Sequence, residues 1–217
     1  FFWFRVENDM SREDETALPE WTTGLWERKY IQREGKEKEY GTVVRYLQAK
    51  EEFVDVRVGE TEKDTMAFAG VSGWVESKKE LRWHAAFNLD PPEDDAKVWG
   101  EIAAKTHTTE DFGRVEQLST DHWMEYGSDY TEEWVRLSHE KTTNYLSAKK
   151  AGHFLLIANG FFGYVSTSTK PHTYCIGTAS DLEVTHSASE AVKAGEKLKL
   201  SSEGWTISES STIPFPS

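Results

Sequence analysis

The chain has 217 residues, a net charge of −13 and a pI near 5.0. A surface this acidic repels the phosphate backbone of nucleic acids and the headgroups of anionic membranes, so neither is expected as a partner. A single cysteine, Cys175, excludes an intrachain disulfide, and no apolar run approaches the roughly 20 residues of a membrane-spanning helix.

Nine tryptophans are more than a core of this size needs. Their large apolar rings suit either a cavity lining or ordinary strand packing. The start, Phe1-Phe2-Trp3-Phe4, lacks a methionine and a basic leader segment, and the chain is expected to be cytoplasmic.

Positions 5–20 are polar and acidic, so residues 1–21 are expected to form an N-terminal arm. In the segment that follows, Trp26, Arg28 and Tyr30 fall on one face of a strand and Glu27, Lys29 and Ile31 on the other. A charged turn over 33–41 leads into the clearest hairpin, Thr42–Ala49 and Phe53–Val58, joined by Lys50-Glu51-Glu52. Its second strand puts Val54, Val56 and Val58 on one face and Phe53, Asp55 and Arg57 on the other. Two readings stay open: valines inward with Asp55 and Arg57 in water, or Asp55 and Arg57 inside a barrel.

Met66–Val75 predicts a strand in which Gly70 and Gly73 mark a bulge or bend. Over Leu81–Leu89, Leu81, Trp83, Ala85, Phe87 and Leu89 share an apolar face, with Arg82, His84, Ala86 and Asn88 opposite. Pro91 and Pro92 end that strand. Ala96–Lys105 has helical composition, but the surrounding strand spacing favours a strand up to Ile102. Gly113–Leu118 reads as a short strand.

His122–Ser138, HWMEYGSDYTEEWVRLS, is a hairpin turning at Gly127-Ser128-Asp129. Tyr130, Glu132, Trp134 and Arg136 share one face of its second strand. Two large aromatics with a carboxylate and a guanidinium interleaved describe the wall of a cavity dotted with polar groups.

Asn144–Lys149 and His153–Ser168 form a further long hairpin, in which the apolar run HFLLIANGFFGYVSTS reads as a buried central strand. Ser187-Ala-Ser-Glu190 is a capping box predicting a short helix at 191–194, stopped by Gly195. Lys197–Ser201 and Gly204–Ser208 are expected closing strands. Many short strands with turn signals every 8–12 residues or so argue for an all-β barrel, closed on itself.

Several segments together resemble the Hri family of small fungal proteins: AFAG at 67–70, the Trp83 strand, Glu125-x-Gly127, Glu132-x-Trp134 and the late GWTIS strand. The layout Trp26-x-Arg28, Leu47-Gln48, Asp55-x-Arg57, Tyr130-x-Glu132-x-Trp134 is shared with related uncharacterised bacterial and fungal proteins. That resemblance spans about residues 40–210. It implies an antiparallel lipocalin-like barrel at 22–140 and a smaller C-terminal β-unit at 141–217, a second and incomplete barrel. It implies interaction with a casein-type kinase for the family and no reaction. It also implies that Phe53, Asp55 and Arg57 face the same interior as Tyr130, Glu132, Trp134 and Arg136, with Gln48 able to join them.

On this reading Glu132, Asp55 and His84 are the catalytic candidates, His84 because an imidazole titrates near neutral pH and Asn88 and Asp90 share its face. Gln48, Phe53, Arg57, Trp83, Tyr126, Tyr130, Trp134 and Arg136 are the ligand-binding candidates, the two tyrosines as donors to an oxyanion. Two arginines against two carboxylates balance by count, which suits a satisfied buried network. The seven histidines lack paired metal-ligand spacing, and no metal or cofactor is expected. Cys175 reads as a small buried residue. Three functions fit: a barrel holding a small, mostly apolar molecule; a cofactor-free isomerase, cyclase or hydrolase of a natural product; or a protein-interaction module with a packed barrel.

Overall fold

The alternation read from the sequence becomes strand nearly throughout. The structure is a computed structural model describing residues 12–61, 65–88, 97–98, 101, 104, 111–137, 145–168, 172–189, 191–200 and 203–210. The first sheet contains β1 (Gly24–Arg33), β2 (Lys38–Glu39), β3 (Val43–Ala49), β4 (Glu52–Val58), β5 (Met66–Val75), β6 (Glu80–Asn88), β7 (Asp111–Ser119), β8 (His122–Tyr126) and β9 (Tyr130–Arg136). Each strand from β3 to β9 pairs with the next, β1 pairs with β3, and β9 returns to β1. The result is a closed eight-stranded antiparallel barrel of lipocalin type, with β2 folded back on the far half of β1.

The second sheet holds β10 (Tyr145–Lys150), β11 (His153–Ala158), β12 (Phe161–Ser166), β13 (Thr173–Thr178), β14 (Glu183–Ser187) and β15 (Thr206–Ser210), in the order β14-β13-β12-β11-β10-β15. Among the described residues β14 and β15 do not pair, so this sheet is open and encloses no second cavity. The apolar run expected as one central strand is instead two, β11 and β12. Asn159-Gly160 turns between them with φ of 51° and 80°, the left-handed pair that a tight hairpin needs.

One face of the second sheet lies against the outside of the barrel. Phe154, Leu156, Val165, Tyr174 and Ile176 pack there against Leu47, Val54, Val56, Ala67 and Ala69. Both faces of β4 are therefore buried: Val54 and Val56 meet the second sheet, while Phe53 and Asp55 point into the barrel. Glu52 also joins the two units, accepting from Ser147 Oγ at 3.0 Å and pairing with Lys149.

The helix expected at 191–194 is absent. The backbone groups nearby are used otherwise: Gly195 N donates to Val184 O, Val184 N to Glu196 O and Leu198 N to Leu182 O. This segment thus lies along β14, and Leu198 covers the outer face of the second sheet. The closing strand expected at 197–201 reduces to one bridge, Lys197 with Glu183. The strand expected from Ala96 up to Ile102 is also corrected, since residues 97, 98 and 101 are helical and Lys97 pairs with Glu101 one turn on. No helix among the described residues is long and apolar enough to cross a membrane.

Candidate functional site

Register decides which side chains enter the barrel. Directly opposed residues share a face, so Trp134 carries Trp123 and Arg28 inward, and Glu132 carries Glu125. A bulge between Arg28 and Tyr30 breaks the expected parity of β1. Arg28 stays inside, Tyr30 turns out opposite Glu133, and Ile31 takes the inward place opposite Glu132. A second bulge leaves Ala86 unpaired. Trp83 faces inward across from Ser72, whereas Phe87 turns out to the layer between barrel and second sheet.

One end of the barrel is plugged. A 3-10 turn at Glu20–Thr22 places Trp21 beneath the lumen, edge-on to Trp74 and tilted against Trp123. Trp123 stacks on Trp134 at 5.3 Å, and Tyr46 packs against Phe53, Trp83 and Trp134. Arg136 belongs to this plugged end. Its guanidinium lies 4.2 Å from the Trp26 ring, donates to the carbonyls of Trp21 and Thr23, and pairs with Asp121 at 3.0 Å. It clamps the plug to the last strand.

Gln48 is likewise spent on structure. Its Oε1 accepts from the Tyr46 and Ser72 hydroxyls, and its Nε2 donates to the carbonyls of Lys50 and Glu52. That exhausts the capacity of one amide. Trp134 is 2 % exposed and donates to Glu125 Oε2 at 3.1 Å, so it is floor and not open wall. Phe53 is buried in the same packing.

The opposite half of the lumen is charged. Arg57 clasps Asp55 through three hydrogen bonds of 2.9–3.2 Å, and Arg28 meets Glu132 at 2.5 Å. Burial opposes the charged form of Arg57, and Asp55 followed by Glu132 outweighs it. The reading that placed Asp55, Arg57, Tyr130 and Glu132 inside one barrel holds. The balance by count does not, because β7 and β8 add Asp111 and Glu125. Four carboxylates thus face two guanidiniums. Gly113 makes room for Glu125: a Cβ there would come within 2.6 Å of its Cγ.

Neither added carboxylate has a cation bonded to it among the described residues. Glu125 accepts from Tyr130 Oη at 2.7 Å and from the Trp134 indole, both neutral donors. Burial, then Glu132 and Asp111, push the Glu125 carboxyl well above the usual range. Burial pushes Asp111 up to about 6, with Arg57 opposing and Glu132 adding. Tyr130 is raised too, by burial and then by Glu125. Trp83, Phe68 and Tyr130 are only half-buried, and Trp83 donates to Tyr46 Oη at 3.0 Å.

Raised carboxyl pKa values set the sign of a pH effect. Protonation favours the folded state, so the contribution is full below about pH 4 and fades as pH rises through about 6 for Asp111, with Glu125, also raised, acting in the same sense. At about 1.4 kcal/mol per unit, Asp111 alone accounts for about 3 kcal/mol. Stability should therefore fall between pH 5 and pH 8. Glu125→Gln, the shape of the protonated acid, should flatten that fall, as read by urea melts at both pH values; a parallel pair of profiles would refute the buried acid.

Two further candidates lie elsewhere. Tyr126 points outward, opposite Arg114 and Thr131, and donates to Glu116. His84 is outside the lumen yet 0 % exposed, because the N-terminal segment covers it. Its Nε2 meets Glu15 at 2.8 Å, and Arg12 also donates to Glu15. Burial tends to raise the Glu15 carboxyl, but these two bonds hold it below the usual range. Arg82 joins Asp14 and Glu80 beside them, and Thr16 bridges Trp74. The expected partner Asp90 lies outside the described residues, as does the side chain of Asn88. His84 is thus an anchor for the arm. Parity with Trp123 was the signal that would have found Glu125; nothing local marks Asp111. Cys175 is buried, which pushes its thiol up to about 12.

No protein-family profile matches the chain. No curated protein matches it either. Among solved structures, an uncharacterized protein from Bacteroides eggerthii is similar over 52 % of this chain and 98 % of its own, with 13 % identity and a TM-score of 0.36.

Proposed function

We propose that the barrel binds a small, mostly apolar molecule, its ring system against Trp83, Phe68 and Tyr130 and its polar group on the charged half of the lumen. The observation that carries this reading is the asymmetry of the interior. One end is filled by packed indoles and plugged, while the other keeps aromatic rings half-buried beside partly buried charges. Few polar groups set among aromatic walls are the usual make-up of a small-molecule site. The acidic surface supports a partner that is neither nucleic acid nor anionic membrane. The motif likeness to the Hri family supports kinship with that family and implies no reaction.

Ligand binding should change tryptophan emission and raise Tm. At 100 times Kd the added stability is about 2.7 kcal/mol. Native mass spectrometry of protein from its natural host should show a retained small molecule, and Trp83→Ala should weaken its binding. No retained mass and no change in emission or Tm across a broad compound set would leave the packed interaction module.

A second reading is a cofactor-free acid/base enzyme, such as an isomerase, cyclase or hydrolase of a natural product. Its support is the Glu125–Glu132 pair: opposed across two strands, one is ion-paired with Arg28 and the other has its carboxyl pKa raised by burial. Neighbouring carboxyls in different environments divide acid and base roles. Glu125→Gln would then abolish turnover while leaving binding within a few-fold.

A further inference from the structure

From the excess of carboxylates in the lumen we infer that the ligand carries a cationic amine, seated between Asp111, Glu125 and the half-buried aromatic rings. This rests on the small-molecule reading above and names the chemistry of its polar group.

Among the described residues, the ionisable groups facing that space can be assigned strand by strand. β1 supplies Arg28, β4 Asp55 and Arg57, β7 Asp111, β8 Glu125, and β9 Tyr130 and Glu132; β3 contributes Tyr46, β5 Phe68 and Ser72, and β6 Trp83, while Arg33 of β1 shares the face only at the exposed rim, paired there with Glu39 of β2. Both interior guanidiniums are already committed, Arg57 to Asp55 and Arg28 to Glu132, and the rim Arg33 is paired with Glu39. An anionic ligand would have to displace one of those carboxylates and leave it buried without a cation, which is strongly unfavourable. A neutral ligand brings Asp111 and Glu125 no counter-charge. An ammonium group compensates them directly.

The surrounding rings favour the same charge. Trp83 and Tyr130 are half-buried at this level, where an ammonium over an aromatic ring gains about 0.5–2 kcal/mol, and the Phe68 ring already carries the Arg57 guanidinium at 5.3 Å, the same kind of contact. The net charge of −13 draws cations toward the protein at a distance. Burial favours the protonated form of both carboxyls, so below about pH 6 a proton competes with the ligand for Asp111. An arriving ammonium favours the ionised carboxylates, so binding is linked to proton release in that range.

Three probes of one shape test this on the full chain: 2-(1-naphthyl)ethylammonium, 2-(1-naphthyl)ethanol and 3-(1-naphthyl)propanoate, titrated by calorimetry. The ammonium should bind at least about tenfold more tightly than the alcohol, with the carboxylate weakest. Its affinity should rise from pH 5.5 to pH 8, and matched buffers of different ionisation enthalpy should read protons released; the alcohol should show neither effect. Asp111→Asn/Glu125→Gln should remove the preference while alcohol binding persists. If that double variant does not fold, the wild-type buffer comparison alone decides. Equal binding of all three overturns the cationic ligand and leaves the small-molecule reading standing. Tightest binding of the carboxylate overturns it in favour of the guanidiniums. Silence from all three overturns it as well, and the small-molecule reading then falls only if the broad compound set is also silent.

Discussion

Arg57→Met should destabilise the protein by about 3–5 kcal/mol, the range found when one partner of a buried ion pair is removed. Asp55 keeps only 6 % of its side chain exposed, so without the guanidinium its charge is stranded in the lumen. Asp55→Asn/Arg57→Met should recover most of the loss, since both charges leave together. Urea melts of the two single variants and the double variant measure the coupling. A loss of about 0–1 kcal/mol for Arg57→Met, typical of solvated pairs, would mean that water reaches the lumen freely and that the charge count there does not govern binding.

Val54→Asp should abolish folding or remove more than about 4 kcal/mol, because the new carboxylate would be buried with no cation near it. Val54 is 0 % exposed although it points away from the barrel interior. On a barrel standing alone that position would face water and tolerate the change within about 0.5 kcal/mol. Val54→Ala keeps the measurement possible if the aspartate variant does not fold, and should cost about 2 kcal/mol for the lost methyl groups and the space they leave. Val43→Asp, at a position 43 % exposed, is the control and should be nearly silent. Equal tolerance at 54 and 43 would show that the second sheet does not cover the barrel in solution.

Both expectations turn on β4, where sequence and tertiary structure meet. Phe53-Val54-Asp55-Val56-Arg57 alternates, but alternation only separates two faces. It does not say which is inside when both are covered, and here one face is covered by the second sheet and the other by the lumen. The charged face was thus ambiguous until β9 was seen to share its interior. The hairpin at 122–136 was legible because its turn residues and its alternation agree. Parity alone assigns His84 and Phe87 to faces, and neither surrounding follows from it: the arm residue Glu15 covers His84, and the bulge at Ala86 within β6 turns Phe87 outward. The capping box at 187–190 is a local preference worth about a kcal/mol, and pairing of the neighbouring backbone with β14 overrides it.

By itself the sequence determined an all-β chain of short antiparallel strands closing as a barrel, with an aromatic, charge-bearing hairpin at its centre, while the smaller C-terminal β-unit was implied by the motif resemblance. Side-chain period and turn residues are local properties, and they suffice for that. Only the tertiary structure decided that Arg28, Asp111 and Glu125 join Asp55, Arg57 and Glu132, and that Gln48, Arg136 and His84 are structural. Bulges reset parity one residue at a time, and charges from five strands meet only when the barrel closes. Whether a buried carboxylate is balanced or left seeking a cation depends on neighbours brought in from up to 104 residues away along the chain, through fields that no local pattern records.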